Sequence, residues 1–148
     1  MAAHIRQQAR EAIASALTGL TTTGSRVFMS RVYPLETADL PGLLIASGDE
    51  TILVATVHSP PQQERHFRVR VGAIARATAD IDDTLDQMCK EVEIAVAGMT
   101  LPGHGTTIAL TDITEPELSG EAQQPTGRVV LTFDVYYFAA ANAPDVAL

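Results

Sequence analysis

Histidine, cysteine and clustered carboxylates are the residues of this 148-residue chain with chemistry to offer. His58 and His66 flank the loop Ser59-Pro60-Pro61-Gln62-Gln63, so a hairpin there would bring two imidazoles toward one metal ion. The plainer alternative is a pair of histidines that serves only the sheet. His4 and His104 stand alone, and none of the four falls in a His-x-x-x-His or Glu-x-x-His pattern that sets two ligands on one helix face. The run Asp80-Ile-Asp-Asp-Thr-Leu-Asp86 has the carboxylates of a cation site but lacks the glycine and closing glutamate of a calcium loop. Capping of a helix N-terminus accounts for it without a metal. Cys89 lies beside Met88 on an apolar stripe, with Asp86, Glu91 and Glu93 near it. That is the setting of a buried, inert thiol rather than a nucleophile. Leu101-Pro-Gly-His-Gly-Thr-Thr107 offers glycines and hydroxyls to a phosphate but has neither the Walker spacing nor its lysine. No Gly-x-Ser-x-Gly elbow occurs. The expectation is a protein that is not an enzyme, with no catalytic residue, metal site or cofactor.

The elements that carry these residues follow from periodicity. Ile5, Ala9, Ala12, Ile13, Ala16, Leu17 and Leu20 recur at helical spacing and predict a first helix, ended by Gly19 and Thr21-Thr-Thr-Gly24. Strands are predicted at about 26–33, 42–47 and 51–57, with Ser47-Gly-Asp-Glu50 as a turn. Between the first two lies an arm bracketed by Pro34 and Pro41. Phe67, Val69, Val71, Ala73 and Ala75 alternate with His66, Arg68, Arg70 and Gly72, a half-buried strand with a basic outer row. A second helix starts at Asp80 or Asp82, with Ile81, Leu85, Met88, Val92, Ala95, Val96 and Met99 on its stripe, and closes at Gly98. Strands at about 106–114 and 128–138 follow, separated by a loop over 115–125. The last is apolar on both faces, so something is expected to pack on each. The sequence predicts an α+β domain: two helices on one face of a mostly antiparallel sheet of about five or six strands. Residues 1–148 read as one domain, with a tail expected to fray from about 139.

Composition narrows the function further. Hydrophobic residues make up 46% of the chain, enough for one core. The single cysteine allows no internal disulfide and fits a reducing compartment. The first residues, MAAHIRQQAREAIASAL, read as an amphipathic helix rather than a leader. No run approaches the ~18 apolar residues of a membrane span, so no membrane association is expected. The net charge of −8 is unevenly spread. Residues 1–79 hold eight Arg/Lys against six Asp/Glu, and residues 80–148 hold two against twelve, or +2 and −10. An acidic chain without a basic stripe is a poor match for specific nucleic-acid binding. The polarity suits head-to-tail contact between copies; the plainer role of acidic surface is solubility.

One stretch carries a resemblance. Thr23-Gly24, Arg26-Val27-Phe28, Ser30-Arg-Val-Tyr-Pro-Leu35 and Leu40-Pro-Gly-Leu-Leu44, in that order behind an N-terminal helix, are similar to the start of the tail terminator proteins of lambda-like long-tailed phages, also called tail completion or minor tail proteins. "DDTLDQMCKEVEIAV" and "ITEPELSGEAQQPTGRVVLTFDVYY" fit the family's second helix and closing hairpin, so the resemblance spans about 3–138. It implies a structural virion protein: a homo-oligomeric ring, usually hexameric, that caps the finished tail tube and stops its polymerisation. It implies three partners, namely the chain itself, the major tail tube protein and the head–tail connector. It also implies a place in the virion tail after synthesis in the bacterial host cytoplasm. A divalent cation is left open as an aid to assembly. On this reading the proline-stiffened arm reaches a neighbour, and the candidate interface residues are Tyr33, Pro34, Leu35, Leu40, Pro41, Arg68 and Arg70. The alternatives are another head–tail connector or neck component, or a small-ligand or metal-binding α+β domain.

Overall fold

The structure is a computed structural model that describes residues 2–29, 35–101, 103, 105–119 and 125–148. Helix α1 spans Ile5–Leu17 and buries Ile5, Ala9, Ile13 and Leu17, one residue per turn on one side. The His4 imidazole caps its start, Nδ1 accepting from the Arg6 N–H at 3.1 Å. Past its end, Gly19 takes a φ of 94° and its N–H bonds the Gly24 carbonyl at 2.8 Å, turning the chain. Helix α2, Ile81–Ala97, buries Ile81, Leu85, Met88, Cys89, Val92 and Val96. Asp80 stands at its N-cap without a side-chain capping bond, and Asp82 and Asp83 lie in the first turn, where the helix dipole favours them.

Among the described residues six strands form one sheet: β1 Val27–Met29, β2 Gly42–Val54, β3 Gln62–Arg76, β4 Thr107–Ile113, β5 Glu117–Ser119 and β6 Thr126–Ala140. Their order is β1-β2-β3-β6-β4, with β5 also paired to β6. All pairs are antiparallel except β1 with β2. The core is one side of this sheet. Leu43 and Ile45 on β2, Phe67 to Ala75 on β3, and Val129 to Tyr137 on β6 alternate inward and meet the two helices. Gly127 is required here, because a Cβ would fall 2.6 Å from Ile81 Cγ1 of α2. The fold is therefore α+β, two helices on a mostly antiparallel six-stranded sheet, as the sequence predicts.

The differences lie in local detail. Ser47-Gly-Asp-Glu50 is not a turn: β2 runs straight through it with a bulge between Ser47 and Glu50. The predicted loop over 115–125 contains the short strand β5. Residues of the expected tail from about 139 make contacts with the domain. Ala139 is fully buried at the end of β6. Beyond it, the Pro144 carbonyl accepts from Ile5 N–H at 3.0 Å, the Asp145 carbonyl from Gln8 Nε2 at 2.9 Å, and Leu148 N–H bonds the Phe138 carbonyl at 2.9 Å. Apart from Gln8 Nε2 these are backbone groups, which carry no sequence signature. Residues 30–33 of the predicted first strand lie outside the described residues.

Candidate functional site

The described residues of the stretch from Thr23 to Leu44 fold into one bonded unit. β1 lies parallel to β2 with Val27, Phe28 and Met29 opposite Leu43, Leu44 and Ile45. Arg26 ties both ends together: Nε donates to the Pro41 carbonyl at 2.8 Å and Nη2 to the Thr22 carbonyl at 3.0 Å. Of the predicted interface residues, Tyr33 and Pro34 lie outside the described residues. The described part of the arm, from Leu35 on, holds a local turn. A 3-10 turn at Thr37–Asp39 is closed by Asp39 N–H to the Glu36 carbonyl at 2.9 Å, and Asp39 Oδ2 accepts from Glu36 N–H at 3.0 Å. Leu35 is half-buried, lying over Gly42 beside a groove of about 320 Å³ that Leu44 and Ile74 also line. Leu40 and Pro41 line a different hollow, with Ala75 and Thr84.

Arg68 and Arg70 share the face of the sheet that the helices leave open. Arg68 Nη1 donates to Asp49 Oδ2 at 2.8 Å, and Arg70 is exposed. The same face holds His66, which does not pair with His58. Its register partners are Thr51 and Tyr136. Its Nε2 lies 2.9 Å from Glu64 Oε1 and its Nδ1 3.1 Å from Asp134 Oδ2. Both neighbours are acceptors, so both ring nitrogens must donate, and the geometry is that of an imidazolium. Hydrogen bonding to Glu64 first, then Asp134, raises its pKa above the usual 6.5. Tyr136 stacks edge-on against the ring at 4.7 Å. Cys89 is buried, and burial, with Glu93 and Asp86 nearby, raises its thiol to about 11. No group of three or more His, Cys, Asp or Glu among the described residues has metal-site geometry. No helix among them is long and apolar enough to cross a membrane.

A second feature was not singled out from sequence. β3 has 15 residues and α2 has 17. At ~3.3 Å per residue the strand runs roughly 50 Å, while the helix at ~1.5 Å runs roughly 26 Å. The far end of the β2–β3 hairpin thus outruns either helix. Ile52, Leu53, Val54 and Val57 are exposed there, Val54 by 69% and Val57 fully. A buried polar cluster braces the base of this hairpin on the helix side. Glu50 accepts from the Tyr137 hydroxyl and lies 3.7 Å from both Arg65 Nη1 and Arg6 Nε. Arg65 Nη2 also donates to Gln63 Oε1 at 2.7 Å, and the Arg6 guanidinium sits 4.7 Å above the Phe67 ring. The sequence signal was available: Thr51-Ile-Leu-Val-Ala-Thr-Val57 is apolar on both faces, more than a one-sided core uses.

No family model matches the chain, and no curated protein sequence does. Among solved structures, a chain from the virion of a native gene transfer agent particle is similar over 92% of this chain and 92% of that chain, with 20% identity and a TM-score of 0.43.

Proposed function

We propose that the protein is a phage tail terminator. Copies of it close into a ring on the end of a finished tail tube, block addition of the next tube subunit and present a surface for head attachment. The role is steric and interfacial, not catalytic. The observation that carries this reading is the resemblance over Thr23–Leu44, whose described residues lie together as one unit held by Arg26. The exposed apolar hairpin supports it as well, since large apolar surface clustered on one protrusion marks a site of association.

Light scattering behind size exclusion, across concentration and with and without magnesium, tests the ring. The expected result is a discrete species near six times the 15.7 kDa subunit. Addition to polymerising tail-tube protein tests the cap, read as shorter tubes with one end closed in electron micrographs. Tubes that lengthen as before overturn the terminator role.

A further inference from the structure

The open face of the sheet holds a connected row of titratable side chains that the proposed role does not use. Glu64, His66 and Arg68 follow one another at every second position of β3, and Asp134 and Tyr136 do so on β6. Register sets Tyr136 opposite His66 and Asp134 opposite Arg68, so all five share one face. The Tyr136 hydroxyl hydrogen-bonds Glu64. Glu64 Oε1 lies 2.9 Å from His66 Nε2, and His66 Nδ1 lies 3.1 Å from Asp134 Oδ2. The row thus runs from β6 to β3 and back to β6.

Few other groups face this imidazole. On β3, Arg68 is tied to Asp49 Oδ2 at 2.8 Å. On β2, Thr51 lies opposite His66 and Leu53 opposite Glu64. On β4, Thr107 and Ala109 lie opposite Tyr136 and Asp134. None of these four partners from β2 and β4 carries a charge, and the helices pack on the other side of the sheet. The charged groups that touch the imidazole among the described residues are therefore Glu64 and Asp134.

The two carboxylates are not equivalent. Asp134 Oδ1 is shielded from solvent and has no hydrogen-bond partner, so among the described residues His66 Nδ1 is the one donor to this carboxylate. Glu64 has a second donor in the Tyr136 hydroxyl. A neutral imidazole keeps one N–H and turns a lone pair toward its other neighbour. Taking the N–H from Asp134 strips that carboxylate of its donor, whereas taking it from Glu64 leaves one in place. The N–H that remains is therefore Nδ1–H, and the contact that fails is Nε2 with Glu64.

We propose that Glu64, His66, Asp134 and Tyr136 form a proton-operated clasp between β3 and β6. With the proton on, His66 joins Glu64 to Asp134. When Nε2 gives its proton to solvent, the imidazole stays on Asp134 and Glu64 is released, with Tyr136 as its remaining partner. The clasp lies at the base of the exposed hairpin, where Leu53, the register partner of Glu64, is 52% exposed. Losing the proton removes a positive charge from a patch that sets Glu64, Asp134 and Asp49 against Arg68, so this part of the open face turns more acidic as pH rises. The hydrogen bonds to Glu64 and Asp134 place that change above the ordinary histidine value of 6.5. None of this depends on the assembly proposed above.

Nitrogen-15 NMR of the imidazoles from about pH 5.5 to about pH 9 tests the clasp, with the His66 signals assigned by their loss in His66→Gln. The expected result is a midpoint above 6.5, an Nδ1–H tautomer at the alkaline end, and Tyr136 resonances that shift with the same midpoint. Glu64→Gln should lower the midpoint by roughly one unit and keep the Nδ1–H tautomer. Asp134→Ala should move the neutral imidazole to the Nε2–H tautomer, with Glu64 as its acceptor. Thermal melts show whether the variants fold, and the wild-type tautomer reads the proposal without them. An Nε2–H tautomer in the wild type, a midpoint at or below 6.5, or Tyr136 resonances that do not follow His66 overturns the clasp.

Discussion

Glu50 and His66 show how one neighbourhood decides what a polar side chain does. The Glu50 side chain is only 7% exposed and serves Tyr137, Arg65 and Arg6 together. Glu50→Ala leaves a buried arginine and a buried phenol without their acceptor, so the expected loss is about 3 kcal/mol. Glu50→Gln keeps an acceptor for the Tyr137 hydroxyl and should cost less. Urea unfolding of both variants checks the order; equal losses would mean the carboxylate charge matters and the hydrogen bond does not. His66 makes a prediction about pH. Its folded-state pKa is raised by the hydrogen bonds it donates to Glu64 and Asp134. The stabilisation is therefore present in full below the unfolded value of about 6.5 and is lost as pH rises through the raised folded value. Melting temperatures of wild type and His66→Gln, compared from about pH 5.5 to about pH 8.5, should converge as pH rises. A constant gap would assign His66 a packing role alone.

The elements differ in how much of them the sequence discloses. Ile5, Ala9, Ile13 and Leu17 repeat every four residues, and Phe67 to Ala75 alternate, because each element packs one side against the same core. Such patterns are local and legible. The bulge at Ser47–Glu50 is not, because Ser-Gly-Asp-Glu has the chemistry of a turn and only Arg6, Arg65 and Tyr137, distant in the chain, draw Glu50 inward. The site was legible in part. The Arg68/Arg70 row falls on the open face as the alternation implies. The exposure of Ile52 to Val57 depends on strands outrunning helices, which no window of sequence reports. The arm supplies the test at this scale. A Cβ on Gly42 would collide with the Asp39 carbonyl oxygen, a backbone atom that cannot swing aside. Gly42→Ala should cost roughly 1–3 kcal/mol by forcing the arm off β2. Gly98→Ala, whose Cβ meets nothing closer than 3.7 Å, should stay within about 0.5 kcal/mol of wild type. Thermal melts of the pair separate a steric requirement at Gly42 from a general cost of losing a glycine.

At the scale of the whole molecule, each half of the chain supplies its own side of the sheet, and that converts a sequence asymmetry into a spatial one. β1, β2 and β3 come from the half with charge +2, while α2, β4, β5 and β6 come from the half with charge −10. The sheet order β1-β2-β3-β6-β4 keeps the two halves on opposite sides. A subunit with unlike halves attracts the next copy in one orientation, and attraction between exposed charges is screened by salt over about 10 Å at 0.1 M and about 3 Å at 1 M. The ring-sized fraction should therefore fall as sodium chloride is raised from about 0.05 M to about 1 M at fixed protein concentration. Apolar burial of the exposed Ile52 and Val54 against a partner would by itself be held or strengthened by salt. The sign of the response thus reports which force dominates the contact. A ring fraction that rises with salt would assign the joint to the apolar hairpin and reduce the charge polarity to a solubility device. Arg70→Glu then decides between them: it should weaken assembly severalfold at low salt and have no effect at high salt if the unlike halves steer the subunits together.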